Sequence, residues 1–177
     1  MIRGAVIFLL LVLTFSAGAE MHSTAPDSAV HNTWNAVLIG SPQEFLATLE
    51  GGCSARLLMI CDDYLRIMLT MSFEELGMTF ARMRLEAAPS EIEYWDNIAV
   101  LEMILSAPSQ VFILEQSIMV IDSLQIEDST CIAFVSLEGS GIGNALLEIP
   151  VVSTTAGWQV TGIDPILSNI LESIFTR

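Results

Sequence analysis

The sequence contains no lysine, and its six basic residues, all arginine, stand against 21 acidic ones. A formal net charge of −15 is the wrong sign for contacting phosphates, so we do not expect nucleic acid as a partner. Anionic membrane surfaces are disfavoured for the same reason. The simplest explanation of the acidity is that it keeps a chain with mean hydropathy +0.61 in solution. Binding of cations or of basic partners is the alternative explanation.

Histidine is scarce: only His22 and His31 occur, both ahead of the expected domain. A Ser-His-Asp or Cys-His arrangement therefore has no base within the domain. Zinc ligands at the usual spacing are missing, and the acidic pairs Asp62-Asp63 and Glu127-Asp128 do not continue as calcium loops. We expect no catalytic constellation, no metal site and no cofactor.

Cysteine is also sparse, with Cys53, Cys61 and Cys131 and no C-x-x-C pair. This excludes a thioredoxin-like redox motif and a zinc knuckle. On one helix Cys53 and Cys61 would lie about 12 Å apart, which is too far for a disulfide. Two interpretations remain: Cys131 reaches one of them across the core, or all three are buried thiols acting as small apolar residues.

Only one long apolar run occurs, at the N-terminus. Arg3 precedes an apolar run of eleven residues at 5–15, interrupted only by Thr14, and Ala17-Gly18-Ala19 supplies a small-x-small cleavage site. This pattern predicts a secretory signal peptide over residues 1–19, since spanning a bilayer takes about twenty residues. We expect cleavage after Ala19 and a soluble, exported chain, periplasmic or extracellular, without a stable membrane anchor.

The next part of the chain has helical patterns. Residues 20–40 are interpreted as an N-terminal arm, loose at first and then, over 32–40, either part of a short helix started near Asp27 or an extended lead-in. Capping boxes at Ser41, Ser72 and Ser90 predict helix starts. Gly51-Gly52 is expected to end the first helix. The predicted helices cover about 41–50, 54–70, 72–86 and 90–105, and their apolar stripes include Phe73, Leu76, Phe80 and Met83 in the third and Ile92, Trp95, Ile98, Leu101 and Leu105 in the fourth.

A β-rich block follows over residues 110–164. Strands are predicted near 110–116, 118–126, 131–138, 144–153 and 157–163, joined by turns at 127–130, 138–143 and 154–157. The glycines of 139–143 are interpreted as a hairpin turn, because a phosphate loop would need a lysine and a following helix. Residues 131–137 alternate between two apolar faces, which predicts a sheet that is curved or covered on both sides.

Residues 164–177 predict a C-terminal amphipathic helix, opened by Asp164-Pro165. We expect it to dock on the second sheet face or on a partner. Its apolar stripe consists of Ile166, Leu167, Ile170, Leu171, Ile174 and Phe175.

Two stretches carry a resemblance to a known family. Residues 41–52 (SPQEFLATLEGG) are similar to its opening helix and following turn, and residues 147–152 (LEIPVV), continued by Gly157-Trp158-Gln159-Val160, to its last hairpin. Over about residues 41–163 the chain resembles the NTF2-like (cystatin-related cone) superfamily, in particular its exported bacterial members of unknown function. The resemblance implies a cone-shaped sheet closed by helices, often around an apolar pocket, and no single function.

Methionine is concentrated in the helical part, which predicts either an ordinary core or a pocket for an apolar ligand. The methionines are Met59, Met68, Met71, Met78, Met83 and Met103. The candidate pocket-lining residues are Tyr64, Met68, Phe80, Met83, Trp95, Phe134 and Trp158.

Some enzymes of the cone fold use a buried acid with a tyrosine for proton transfer. The acids and tyrosines that could form such a pair here are Tyr64, Tyr94, Asp62, Asp63 and Asp96. Tyr64 lies on the apolar face of its predicted helix and both neighbouring aspartates lie off it, so an isomerase-type or dehydratase-type site is disfavoured.

We therefore expect an exported α+β protein without catalysis. Its N-terminal helices would pack on a curved antiparallel sheet, with a C-terminal helix added after residue 163. The favoured function is a binding or interaction module for a protein or an apolar small molecule held in the cone. The alternatives are an assembly protein that dimerises through the sheet or the C-terminal helix, and an isomerase- or dehydratase-type enzyme. Monomer and homodimer stay open.

Overall fold

A computed structural model describes residues 23–106, 117–139 and 143–163, and it confirms an α+β fold. Helices come first along the chain and pack on a curved, four-stranded antiparallel sheet. The described helices are α1 (Pro26–Ile39), α2 (Pro42–Thr48), α3 (Gly51–Thr70), α4 (Phe73–Met83), a 3-10 helix (Pro89–Tyr94) and α5 (Asn97–Ser106). The strands are β1 (Ser117–Glu127), β2 (Thr130–Gly139), β3 (Gly143–Thr154) and β4 (Gly157–Val160).

The sheet is a meander in the order β1-β2-β3-β4, as the strand and turn patterns predict. The β1–β2 register shifts between Ile121 and Ser123, a bulge that bends the strand pair. Asp128 takes a left-handed conformation at the first turn. Gly139 pairs with Gly143 at the second. The strand predicted at 110–116, the tip at 140–142 and the C-terminal helix lie outside the described residues.

Helix α1 corrects the expectation of a loose arm. From Pro26 the chain is helical and contacts all four strands, so it forms the main helical cover of the sheet. The buried side chains of α1 are mostly small, including Ala29, Thr33 and Ala36, so no stripe of large apolar residues marks the helix. Small side chains let the helix backbone approach the sheet closely.

The link between α2 and α3 differs from the prediction. Gly51-Gly52 does not end a helix: these glycines are the first residues of α3. Helix α2 ends at Thr48 because Leu49 is extended and forms a parallel bridge with Val160 of β4. The Glu50 backbone N–H then donates to the Val160 carbonyl at 2.8 Å, while its carboxylate caps α3. This short link extends the edge of the sheet.

Two of the three predicted capping boxes mark true helix starts. Ser41 accepts from the Glu44 N–H at the start of α2, and Ser72 and Glu75 form the full reciprocal box at α4. The box predicted at Ser90 was wrong as the start of a long helix, because a 3-10 helix ends at Tyr94. Helix α5 starts afresh, with Asp96 Oδ1 accepting from the Ala99 N–H at 2.8 Å.

The core lies between the helices and the inner face of the sheet. Helix α5 is buried on most of its surface and packs on α3 and α2. The inner face of the sheet presents Cys131, Ala133, Val135 and Leu137, all buried, as the alternation predicts. Phe73 was predicted to be part of the buried stripe of α4, but this was wrong, since it is 71% exposed.

Candidate interaction surface on the outer sheet face

The seven predicted pocket-lining residues do not come together around one cavity. Met68, Phe80 and Met83 are buried in the core, and Tyr64, Trp95 and Trp158 are half-buried against it. The rings of Phe80 and Trp95 stack with centroids 5.4 Å apart. Phe134 lies on the outer face of β2, because its neighbours Ala133 and Val135 point into the core. The sheet therefore separates Phe134 from the three core residues.

The residues considered for proton transfer are also dispersed. Asp62 and Asp63 pair with Arg66 on the solvent side of α3. Asp96 is exposed at the start of α5, and Tyr94 is 86% exposed. The methionines are divided in the same way: Met59 and Met78 are exposed, Met71 is half-buried, and Met103 is buried with Met68 and Met83.

The three cysteines are buried thiols and no disulfide joins them. Burial raises the pKa of the Cys61 thiol to about 12, and it also raises the pKa of Cys131. At neutral pH these thiols stay protonated, and burial limits their access to reagents. Of the two interpretations of the cysteines, the structure confirms that of small apolar core residues.

The outer face of the sheet carries apolar side chains that the described helices do not cover. Ile118 and Leu146 are 66% and 68% exposed, although both belong to long strands that pair along their length. Val120 and Ile132 are exposed as well. The remaining apolar members of the outer face are Phe134, Pro150 and Val152, all half-buried.

Acidic side chains are interspersed with these apolar residues. Glu138 is paired with Ile118 across the β1–β2 ladder, and Glu148 is paired with Phe134 across β2–β3. Asp122, at the bulge, accepts a hydrogen bond from the Ser136 hydroxyl at 3.0 Å. No basic residue occurs in the sequence between Arg84 and Arg177, so the strands place no positive charge on this face.

An open depression of about 620 Å³ lies at one end of the outer face. Its floor comes from β2 and β3, and its rim includes Glu50 and the chain that leaves β4. None of the seven predicted pocket-lining residues, all of them described, lines this depression. The residues that line it include Glu50, Thr130, Ile132, Pro150, Val152 and Thr161.

The rim of the depression is fixed by the start of α3. Glu50 accepts hydrogen bonds from the backbone N–H groups of Gly52 and Cys53, which hold the pKa of its carboxyl below the ordinary value. The Arg56 guanidinium donates to the Thr161 carbonyl at 3.0 Å. Glu50 therefore stays ionised at neutral pH, and Thr161 is tied to α3.

Sequence reasoning identified the apolar outer face but not the depression. Alternation along β2 places Ile132 and Phe134 on the side opposite Cys131. The depression joins Glu50 and Thr161, which are far apart in sequence and belong to no shared motif. The pairing of Leu49 with β4 and the hydrogen bond from Arg56 to Thr161 bring them together, and no local pattern predicts these contacts.

Comparison with models of protein families, with curated proteins and with solved structures found no match for this chain. Among the described residues, no group of three or more His, Cys, Asp or Glu side chains is placed to hold a metal ion. None of the helices in the described ranges is both long and apolar enough to cross a bilayer.

Proposed function

We propose that this protein is an exported, non-catalytic interaction module that binds a protein partner through the outer face of its sheet. The partner is a segment with an apolar face flanked by basic side chains. The observation that carries the proposal is the exposed apolar surface around Ile118 and Leu146, interspersed with acids and without any positive charge from the strands. Exposed apolar patches with polar surroundings mark interaction sites, and charge complementarity selects the partner.

We further propose that the architecture is a cone of the NTF2-like type with an added helix over residues 164–177. The helices-then-meander order and the bulge at Ile121 support this assignment. Helix α1 departs from the expected pattern, since it replaces part of the loose arm. Export rests on the pattern of residues 1–19 alone.

Export makes a prediction about the mature chain. When the full sequence is expressed in a Gram-negative host, we expect the periplasmic or secreted protein to begin at Glu20, because the Ala17-Gly18-Ala19 site precedes it. Intact-mass measurement of the fractionated protein checks this. A matched variant, Ala17→Arg with Ala19→Arg, should accumulate uncleaved. Recovery of the wild type in the cytoplasm with Met1 to Ala19 retained would contradict the export proposal.

Partner binding is tested with a defined probe, a synthetic amphipathic helical peptide of leucine and lysine. We expect it to bind the mature protein in about 0.15 M salt, and roughly tenfold more tightly than the same peptide with glutamate in place of lysine. Leu146→Asp should weaken binding roughly tenfold by placing a charge in the apolar surface. Titration calorimetry measures all three affinities.

Met59→Asp is the matched control variant. Met59 is 67% exposed on α3 and does not line the depression, so the substitution adds the same charge outside the sheet. A purely long-range attraction would make both aspartate variants bind the lysine peptide slightly more tightly. Weakening by Leu146→Asp alone supports the outer face as the site. Equal affinities of the two variants, or equal binding of the two peptides, would refute the proposal.

One alternative occupant is a second copy of this chain. Two outer faces brought together would oppose acids such as Glu138 and Glu148, which disfavours the pairing. Sedimentation analysis distinguishes it: a dimer that Leu146→Asp dissociates would favour self-assembly.

A second alternative, an apolar small molecule, is favoured by the depression, whose volume falls in the range of about 300–1,000 Å³ common for ligand pockets.

A further inference from the structure

We infer that residues 164–177 of this chain dock on its own outer face, over the depression beside Pro150, and compete there with the partner. The docking stands on the structure and the sequence, whereas the competition rests on the proposed function. The occupant is thus a tethered segment of the same molecule, and it regulates access to the interaction surface.

The path of the chain after β4 leads onto this face. Thr161 lines the depression, and both its N–H (2.9 Å) and its hydroxyl (3.2 Å) donate to the Pro150 carbonyl. Gly162 then lies so close to the Pro150 ring that an added Cβ would come within 2.3 Å of the ring Cγ. Pro150 pairs with Ile132 on the outer face. Thr161 and Gly162 therefore bring the chain against Pro150 at the outer face, while the side chain of Ile163, the last described residue, packs against the core.

The length of the remaining chain suits the surface. As a helix, residues 164–177 would extend over about 21 Å. Four strands span roughly 14 Å between the outermost strand axes. The segment can therefore cross the sheet from the Pro150 side without any linker. Asp164-Pro165 permits a helix to start almost where the described chain leaves the Pro150 ring.

The chemistry of the segment also suits the surface. Its apolar stripe carries no charge, and Ile170 and Ile174 lie near the middle of that stripe when the segment is placed on a helical period. Docking would bury them against Ile132 and its neighbours. A second copy would bring the acids of a whole sheet face against Glu148 and Glu138. The segment carries only Asp164 and Glu172, partly balanced by Arg177, so it has the smaller electrostatic cost.

Thiol labelling of the full mature chain tests the docking. Ile132→Cys places a reporter thiol on the outer face, and the native cysteines provide a slow background because they are buried. We expect a maleimide to modify this reporter thiol roughly tenfold faster when Ile170→Asp and Ile174→Asp are added, since the charged segment leaves the surface. Peptide mapping by mass spectrometry measures the rate at each thiol separately.

Two controls keep the test specific. Asn169→Asp with Thr176→Asp adds the same charges to the opposite side of the segment and should leave the rate at the outer-face reporter unchanged. A second reporter, Met59→Cys on α3, should be equally reactive in all backgrounds, which also shows that the variants stay folded. Equal rates at the outer-face reporter in every background would overturn the docking. Protection that deepens with protein concentration would also overturn it, by assigning the surface to a second copy.

The competition is measured separately, with the leucine–lysine peptide. We expect Ile170→Asp with Ile174→Asp to increase its affinity several-fold, because no segment has to be displaced first. If labelling shows docking but the peptide binds the wild type and the double variant equally well, the segment does not compete with the partner and its regulatory role is refuted. If labelling shows no docking while Leu146→Asp still weakens the peptide, the proposed function survives and the docking does not.

Discussion

Replacing Phe45 with alanine is expected to lower the free energy of unfolding by about 3 to 5 kcal/mol. Phe45 is 0% exposed in α2, and this helix connects α1 to the link that pairs with β4. Removing the ring leaves a cavity in the core where helices and sheet meet, and close packing prevents the surroundings from filling it. Equilibrium urea unfolding, followed by far-UV circular dichroism, measures the loss.

Phe73→Ala is the matched control for this substitution. The residue type is the same and the position is again near the start of a helix, but Phe73 is 71% exposed. We expect a change within roughly 0.5 kcal/mol. If the two variants lose similar stability, Phe73 is buried in solution, as the apolar stripe of α4 predicts, and α4 packs differently from the arrangement described above.

Gly157→Ala is expected to cost roughly 2 to 3 kcal/mol. Gly157 has φ of +98°, a conformation that residues with a Cβ rarely adopt, and an added Cβ would come within 2.7 Å of the Ser23 carbonyl oxygen. Relieving this contact would displace Ser23, whose carbonyl accepts from the Trp158 N–H at 2.9 Å. The substitution therefore combines backbone strain with the loss of an anchor for the N-terminus.

Gly51→Ala provides the comparison for Gly157→Ala. Nothing lies within 4 Å of a Cβ added to Gly51, and its φ is ordinary for the first turn of α3. Alanine there should leave stability unchanged or raise it by up to about 1 kcal/mol, because alanine favours the helix. The thermal unfolding midpoints of both variants measure this difference in stability. Equal midpoints would contradict the close approach of Ser23 to the β4 turn.

The sequence predicts the sheet more successfully than the helices. Alternation and turn residues are local signals, and they identify the four described strands and the buried side chains such as Ala133 and Val135. Helix α1 is harder to predict because Ala29 and Ala36 are small, although Pro26 at its start and Gly40 at its end are local helix signals. A helix that buries small side chains by packing close to a sheet shows only a weak hydrophobic pattern in the sequence.

The remaining differences arise from long-range contacts. Gly51-Gly52 has the composition of a helix end. The bridge between Leu49 and Val160 ends the preceding helix earlier, and Glu50 then caps a new helix that begins at these glycines. Phe73 fits the apolar stripe of α4, yet nothing in the sequence tells how far the neighbouring helices extend over it. The depression depends on the same bridge and was therefore not predictable from local patterns.

The position of α1 has a consequence for the order of folding. It is the first described helix to be synthesised, yet its buried side contacts all four strands, the last of which comes near the end of the described chain. Contacts between distant parts of a chain form slowly, because a large loop must close before they are made. We therefore expect the buried side of α1 to stay uncovered until β4 has been synthesised, so that the nascent chain remains incompletely folded through most of its synthesis. We expect a chain in that condition to be able to pass, unfolded, through a narrow translocation channel, as the proposed export would require.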